Sequence, residues 1–480
     1  MSIKTGLFSL AGVAVLAFTL APNARATGWQ FTNSLPSTRT LAIGLNANGT
    51  LLVLGGLPRK GNKSLVDARA ADGSWREVAQ LPDDTEGQGA GYDSLGRIIV
   101  FGGILPFAPT PTANGYVYNT NSGAGAAIAA KHFAVYDFAL AADNQRRIYA
   151  ISGQLGSGFP RALSAGVERY DAVANAWTVL APLPSPRTKV AAAYDSLGHI
   201  LVFGGIDTNS TLTTSVFSYD IAGDAWTQLA DVPVVFTGPV NNGTAVLGAD
   251  GLVYLVGPGV SVFDPQLKVW FAGPQQQVVR GAPAATLGND GFLYVMAGKV
   301  SALDGTFVDT VECLDTASPA PPLIKSSPVT TVRMAASFAY QISASGNPRP
   351  GYSLVSGPTT MSVNASNGIV SWTLAADQLG NHPVTVRAAN SVGTNDQSFT
   401  LSVVVDRPRL SGVLLAPAND FRLSGVGATP GVTYGIEATT NFTGTPWQRL
   451  GTSLADEGGR FDFTNAPGAS PAQYYRSVFP

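Results

Sequence analysis

At 480 residues the chain is long enough for several domains, yet only 12% of its residues are charged and the formal net charge is −2. That is about half the usual charged share, and it offers no basic surface for nucleic acid or anionic lipid. Cys313 is the single cysteine, which excludes an internal disulfide; stability must come from apolar burial across large sheets, with Cys313 as a small hydrophobe in one of them.

The first element is an address. Lys4 is followed by an apolar stretch from Gly6 to Ala21 and then by Asn23-Ala24-Arg25-Ala26. A short basic start, an apolar core and a small-residue end describe a cleavable secretory signal over residues 1–26, with cleavage after Ala26. No later segment is long and apolar enough for a transmembrane helix, so no membrane insertion is expected after cleavage. The expected location is secreted, whether periplasmic, extracellular or on the cell surface.

From residue 27 to residue 315 an apolar run ending in glycine recurs, at Gly55-Gly56, Gly102-Gly103, Gly153, Gly204-Gly205, Gly257 and Gly298. The spacing, roughly 41 to 52 residues, is the period of propeller blades. In the clearest copy, Arg187 to Tyr194 reads as an inner strand of small residues and His199 to Phe203 as a strand covered on both faces. Ser215 to Asp220 is a third strand whose aspartate can bond its own turn, and Ala225 to Leu229 is a fourth carrying Trp226. One tryptophan per copy (Trp75, Trp177, Trp226, Trp270) is expected to wedge between adjacent sheets. The copy around Tyr118-Asn119 lacks one.

Double glycine, then Tyr170-Asp171 with Trp177, or Tyr219-Asp220 with Trp226, resembles the kelch family over residues 28 to 315. The resemblance implies a β-propeller and leaves activity open, because one fold hosts many functions. Counting strands adds a closure. Trp29 precedes any inner strand, while the last copy has three strands before a run of prolines, so Trp29 to Phe31 is expected to complete it. Six blades follow, at 39–79, 87–128, 131–180, 187–229, 236–272, and 281–315 completed by 29–31.

Residues 316–322 are proline-rich and read as a semi-rigid linker. Residues 323–405 alternate in short segments at sandwich spacing. Ala344 to Pro348, Gly368 to Trp372 and Val384 to Gly393 resemble the bacterial Ig-like domain related to cadherin-like modules. Those relatives often hold calcium with an aspartate where Asn390 stands; with Asp377 and Asp396 too sparse for a hard cation, no metal is expected. Residues 406–480 alternate again, as a small C-terminal β module for spacing, attachment or sorting. The fold class is thus all-β: a six-bladed kelch-like propeller, an Ig-like β-sandwich, and a small β-rich module.

Copper radical oxidases pair the same two modules, and their copper requires two imidazoles, tyrosinates and a modified cysteine. Only His132, His199 and His382 are available here, and no zinc spacing occurs, so no cofactor is expected. Kelch-type sugar mutarotases and epimerases need less: an acid/base group and cations for an acidic sugar. Arg39, Arg187 and Arg280 fall at or within one residue of one repeat position, with Glu86 there in the second blade, and are expected to ring one mouth of the axial channel. They can bind an acidic or hydroxyl-rich ligand, or brace loop carbonyls and neighbouring blades through five fixed donors. The expected function is non-catalytic recognition or adhesion, with a glycan or protein as partner at the propeller mouth. The alternative is a mutarotase or epimerase acting on an acidic sugar.

Overall fold

The structure, a computed structural model, describes residues 28–479 apart from 58–63, 83–84, 106–107, 109, 120–124, 157–161, 234–242, 301–305, 335, 375–377, 416–419, 442–445 and 467–472. The export signal with its cleavage point, Asp377, and the start expected for the fifth blade lie outside the described residues. Every described element is a strand.

Between residues 30 and 315 the strands form six four-stranded antiparallel sheets. Their inner strands, Ile43–Ala47, Gly89–Tyr92, Ala139–Ala142, Ala191–Tyr194, Thr244–Leu247 and Ala284–Leu287, lie each against the next, and the first lies against the sixth, so the ring closes. Small residues prevail there because the strands crowd at the axis: a Cβ on Gly44 would meet the backbone of Ala285 at 2.8 Å. The second strands, such as Ile98–Phe101 and His199–Phe203, are almost wholly buried. Six apolar clusters hold the ring, one between each pair of neighbouring sheets.

The tryptophans occupy those clusters as wedges. The indole N–H of Trp177 donates to the Ala129 carbonyl of the preceding sheet at 2.9 Å, that of Trp226 to Ala181 at 2.9 Å and that of Trp270 to Ala230 at 3.2 Å. In the second sheet, Gly125 stands opposite Tyr118, the partner position that Trp177 takes opposite Tyr170. Sheet geometry survives there without a wedge, on Tyr118 packed into the cluster with the first sheet. The outer strand of the sixth sheet is Gln30–Thr32, paired antiparallel with Val311–Asp315, so the ring is locked by the N-terminal segment. The aspartates of the Tyr-Asp pairs form turns: Asp171 Oδ1 accepts from the amides of Val173 and Ala174, and Asp195 Oδ1 from Leu197 and His199.

Topology gives the ring two unlike faces. Short turns joining first to second and third to fourth strands emerge on one, here the turn face. Connections from second to third strand, longer than the turns in every sheet but the fifth, and the crossings between sheets emerge on the other, the loop face. The chain leaves on the turn face, where the buried Thr316 hydroxyl donates to the Gly291 carbonyl and accepts from the Ala249 amide.

The proline-rich stretch corrects an expectation. Ala320–Ile324 is a strand paired with Ala344–Asn347, so it is part of the Ig-like sandwich and not a free linker. Pro321 and Pro322 are tolerated because this two-stranded sheet needs no second row of donors from them. Two further sheets complete the sandwich around Trp372, and two three-stranded sheets form the C-terminal module. The sandwich is fastened to the turn face. Arg349 Nη2 lies 2.8 and 2.6 Å from the two Asp264 carboxylate oxygens, and the Asn347 amide donates to the Ala317 carbonyl at 2.6 Å. Asn390 donates to the carbonyls of Ala320 and Pro348, both at 2.7 Å, tying the strand of the Pro-rich segment to its neighbour.

Candidate functional site at the channel mouth

The three arginines of the repeat do not converge on a pocket. Arg39, Arg187 and Arg280 are 2%, 2% and 0% exposed, each folded back into its own sheet. Arg187 Nη1 donates to the carbonyls of Gly204 and Ser215 at 3.0 Å each, and Arg280 Nη1 to those of Ala297 and Thr310 at 3.1 and 2.8 Å. Arg39 reaches the carbonyls of Gly55 and Leu65 at 3.4 and 3.5 Å. Those carbonyls are the end of a second strand and the start of a third, so each guanidinium clamps the two feet of one loop-face connection. Burial pulls all three below the usual arginine range. Ion pairs with Asp67 and Glu312 oppose it at Arg39 and Arg280, whereas Arg187 lies 4.8 Å over the Phe217 ring instead. The ligand-binding role expected for these arginines is therefore corrected to bracing, since donors consumed by buried carbonyls cannot also meet solvent.

Glu86 is one residue out of register with them. It bridges to Ile104 as Thr40 does to Leu57 and Thr188 to Ile206, and Thr85 holds the arginine place. It is exposed beside a small crevice of about 30 Å³ that Gln88 and Leu57 also line, apart from the arginines.

In the third sheet Val135 stands where the arginine would be, and a cation arrives from another position. Lys131, its side chain wholly buried, lies 3.9 Å from the buried Glu168 and 4.3 Å over the Phe138 ring, with no hydrogen-bond acceptor for its amine among the described residues. Its amide bonds the carbonyl just before the third strand, as those of Leu81, Leu183 and Val232 do in other sheets. A lysine in an apolar repeat position was the available sequence signal. Burial, opposed by Glu168, pulls its pKa from the ordinary 10.5 to about 8. Between those values the unfolded chain binds a proton that the folded chain does not, so this group makes stability rise from pH 8 to 10.5. Urea melts of Lys131→Met are expected to lose that rise between pH 8 and 10.5; a slope unchanged from the parent protein would contradict the assignment.

What does surround the loop-face mouth is a ring two residues beyond the arginine position. Leu41, Gly87, Asp137, Lys189 and Ala282 all adopt positive φ, at 57, 59, 50, 57 and 49°. Four of the five carry side chains that this region disfavours, so the fold imposes the conformation at each crossing. Backbone bonds run along the ring: the Leu41 amide donates to Ala282 at 3.3 Å, that of Asp137 to Gly87 at 2.9 Å and that of Lys189 to Asp137 at 2.8 Å. The mouth is a cavity of about 130 Å³ lined by all six sheets. Asp137 and Lys189 are its charged lining residues, with Lys189 Nζ 4.0 Å from Asp137 Oδ2 and both side chains partly exposed.

The histidines lie apart. His132 Nδ1 is 3.0 Å from Glu168, His199 Nδ1 is 2.9 Å from Asp195, and His382 packs edge-on against Trp372. Among the described residues no three His, Cys, Asp or Glu side chains are grouped to hold a metal.

Sheets wedged by tryptophan around a channel, then a β-sandwich, define a propeller of the Gly-Gly, Tyr-Asp, Trp class. Residues 197–233 match the family model "Kelch motif", and residues 321–404 match that described as "Putative Ig domain". The chain is 29% identical over 175 residues to the human "Kelch repeat and BTB domain-containing protein 13", an alignment covering 35% of this chain and 37% of that relative. Among solved structures it is similar to that of YjhT, with a TM-score of 0.50 at 14% identity, covering 61% of this chain and 96% of the other; that likeness concerns fold alone. The chain is a kelch-repeat β-propeller protein with an Ig-like domain.

Proposed function

We propose that the protein is an exported recognition protein whose propeller holds a protein or glycan ligand on its loop face, with residues 323–405 and 406–480 as stalk or attachment. Kelch repeats in general serve protein interaction, which favours a protein ligand. The single observation that carries the reading is the division of labour between faces. The sandwich is fastened to the turn face at the fifth and sixth sheets through Asp264 and Ala317, while the opposite face presents the longer connections, three of them clamped at their feet by buried arginines. Loops carried on a rigid set of sheets suit recognition.

The mutarotase or epimerase reading loses the cations it called upon. It retains the Asp137–Lys189 pair, an acid/base group beside a cation in one mouth.

The test pans a phage-displayed peptide library and a glycan array with the chain from residue 28 onward, then compares Asp137→Asn/Lys189→Met. Ligands selected on the parent protein are expected to bind this variant at least tenfold more weakly. Equal binding by both would remove the mouth from the interface. Anomeric exchange of galacturonate, followed by NMR, is expected to run at the buffer rate; an acceleration abolished in the same variant would replace recognition with catalysis.

A further inference from the structure

The channel opens again on the turn face, and that opening is roomier. Two lobes of about 310 and 300 Å³ share Leu140, Ala142 and Thr286 and together touch the inner strands of all six sheets. This is the lower end of the size of small-molecule sites, about 300 Å³ and upward. The walls are mainly alanine and leucine, whereas the rim of the larger lobe is polar: Asn46, Asn48 and Asn289 from the first and sixth sheets, Tyr92 from the second, Arg146 from the third.

Among the described residues Arg146 is the one charged side chain lining that lobe. Its backbone is held at φ 57° in the turn after Ala142, and its guanidinium lies over the Tyr92 ring, 4.8 Å from the centroid. Stacking uses the face of the guanidinium and leaves its in-plane N–H fork unspent. The next residue shows the contrast. Arg147 donates through Nε to Asp143 at 2.6 Å, while no described residue pairs with Arg146 beyond the ring beneath it. Around it the carboxamides are ordered. Asn46 donates to the Leu287 carbonyl at 2.8 Å and to Asn289 Oδ1 at 2.9 Å, and its own oxygen accepts from the Gly49 amide at 2.8 Å.

We propose that this opening binds a monosaccharide acid, a hydroxyl-rich ring bearing one carboxylate. The carboxylate takes the Arg146 fork in bidentate fashion, the geometry a guanidinium selects. The carbon face of the ring lies against Leu45 and Leu140, and hydroxyls exchange hydrogen bonds with the Asn48 and Asn289 amides. Charge decides the class of anion. One cation, with no carboxylate and no second cation among the described lining residues, suits a monoanion; a phosphate dianion would be left half neutralised. The site is distinct from the loop-face mouth and independent of what binds there.

Calorimetric and saturation-transfer titrations of the chain from residue 28 onward with galacturonate, galactose and glucose 6-phosphate test it. Galacturonate is expected to bind saturably, with galactose and the phosphate each at least tenfold weaker. Arg146→Gln is expected to weaken galacturonate at least tenfold with an unchanged melting temperature, and Arg146→Lys to fall between, keeping charge without the fork. Absence of saturable galacturonate binding, equal binding by Arg146→Gln, or tighter binding of the phosphate overturns the proposal. Asp137→Asn/Lys189→Met is expected to bind galacturonate normally; loss there would assign the sugar acid to the loop-face mouth and end this proposal without touching the recognition reading.

Discussion

A chain beginning at residue 34 is expected to melt about 10 °C or more below one beginning at residue 28. The five residues Gly28 to Thr32 carry the outer strand of the sixth sheet, with Gln30, Phe31 and Thr32 paired to Cys313, Glu312 and Val311. Trp29 contributes most. It is 2% exposed in the cluster between fifth and sixth sheets, its indole donates to the Pro274 carbonyl at 2.9 Å, and its carbonyl accepts from Gln277 at 2.8 Å. Truncating a buried tryptophan alone costs about 3–5 kcal/mol. The freed edge of Val311–Asp315 adds to that, because its backbone groups lose their ladder partners. At about 2–4 °C per kcal/mol for domains of 150–250 residues, and less for a larger one, the sum reaches roughly 10 °C. Phe31→Ala serves as control. Its ring is 56% exposed, so its melting curve is expected to stay within about 0.5 kcal/mol of the parent. Coincident calorimetric traces for the two chain lengths would mean that the ring closes without this strand.

That closure is legible in the sequence because it rests on counting: an unpaired tryptophan at one end of the repeat and a missing strand at the other. The wedges and turn aspartates are legible for a similar reason, as one side-chain chemistry repeated in one register. The fate of the arginines is not. Their partners lie far along the chain, Asp67 28 residues from Arg39 and Glu312 32 residues from Arg280, and in the fourth sheet the partner is a ring, Phe217. Repeat position alone places such a residue near the mouth without saying whether it points out of it or back beneath the loops. The positive-φ ring is hidden for a different reason. Leu41, Asp137, Lys189 and Ala282 share a backbone conformation and no side-chain property, and among the described ring positions glycine, the usual sign of that conformation, occurs only at Gly87. Lys189 consequently reads as part of an inner strand that begins only at Ala191. The Pro-rich segment fails as a linker because two prolines end a strand's capacity to donate, not its capacity to accept.

Arg280→Met is expected to cost about 3–5 kcal/mol, more than Arg187→Met, although the two guanidinium groups make the same pair of carbonyl bonds. The difference lies in what each leaves behind. Removing Arg280 strands Glu312, which is fully buried and also accepts the amides of Gln277 and Val278 in the crossing from fifth to sixth sheet. An uncompensated carboxylate there must lose its ionisation or draw water into the cluster, and either loosens the segment that carries Arg280. Removing Arg187 strands no buried charge, since it bonds Ser215 and lies over the Phe217 ring while Asp207 and Asp231, which attract it, reach solvent, and a cost of about 1–3 kcal/mol covers the lost bonds and contact. Denaturant titrations of both single variants and of Arg280→Met/Glu312→Gln separate the causes. The double variant is expected to recover at least half of the single-variant loss, because the amide keeps acceptor capacity for Gln277 and Val278 without the charge. Equal losses for Arg187→Met and Arg280→Met, with no recovery in the double variant, would mean that the carbonyl clamp dominates and the buried ion pair adds nothing. Either way the effect on ligand binding separates bracing from contact: a brace lowers binding only as far as it lowers the folded fraction, so at temperatures well below the melting point Arg187→Met is expected to bind loop-face ligands as the parent does.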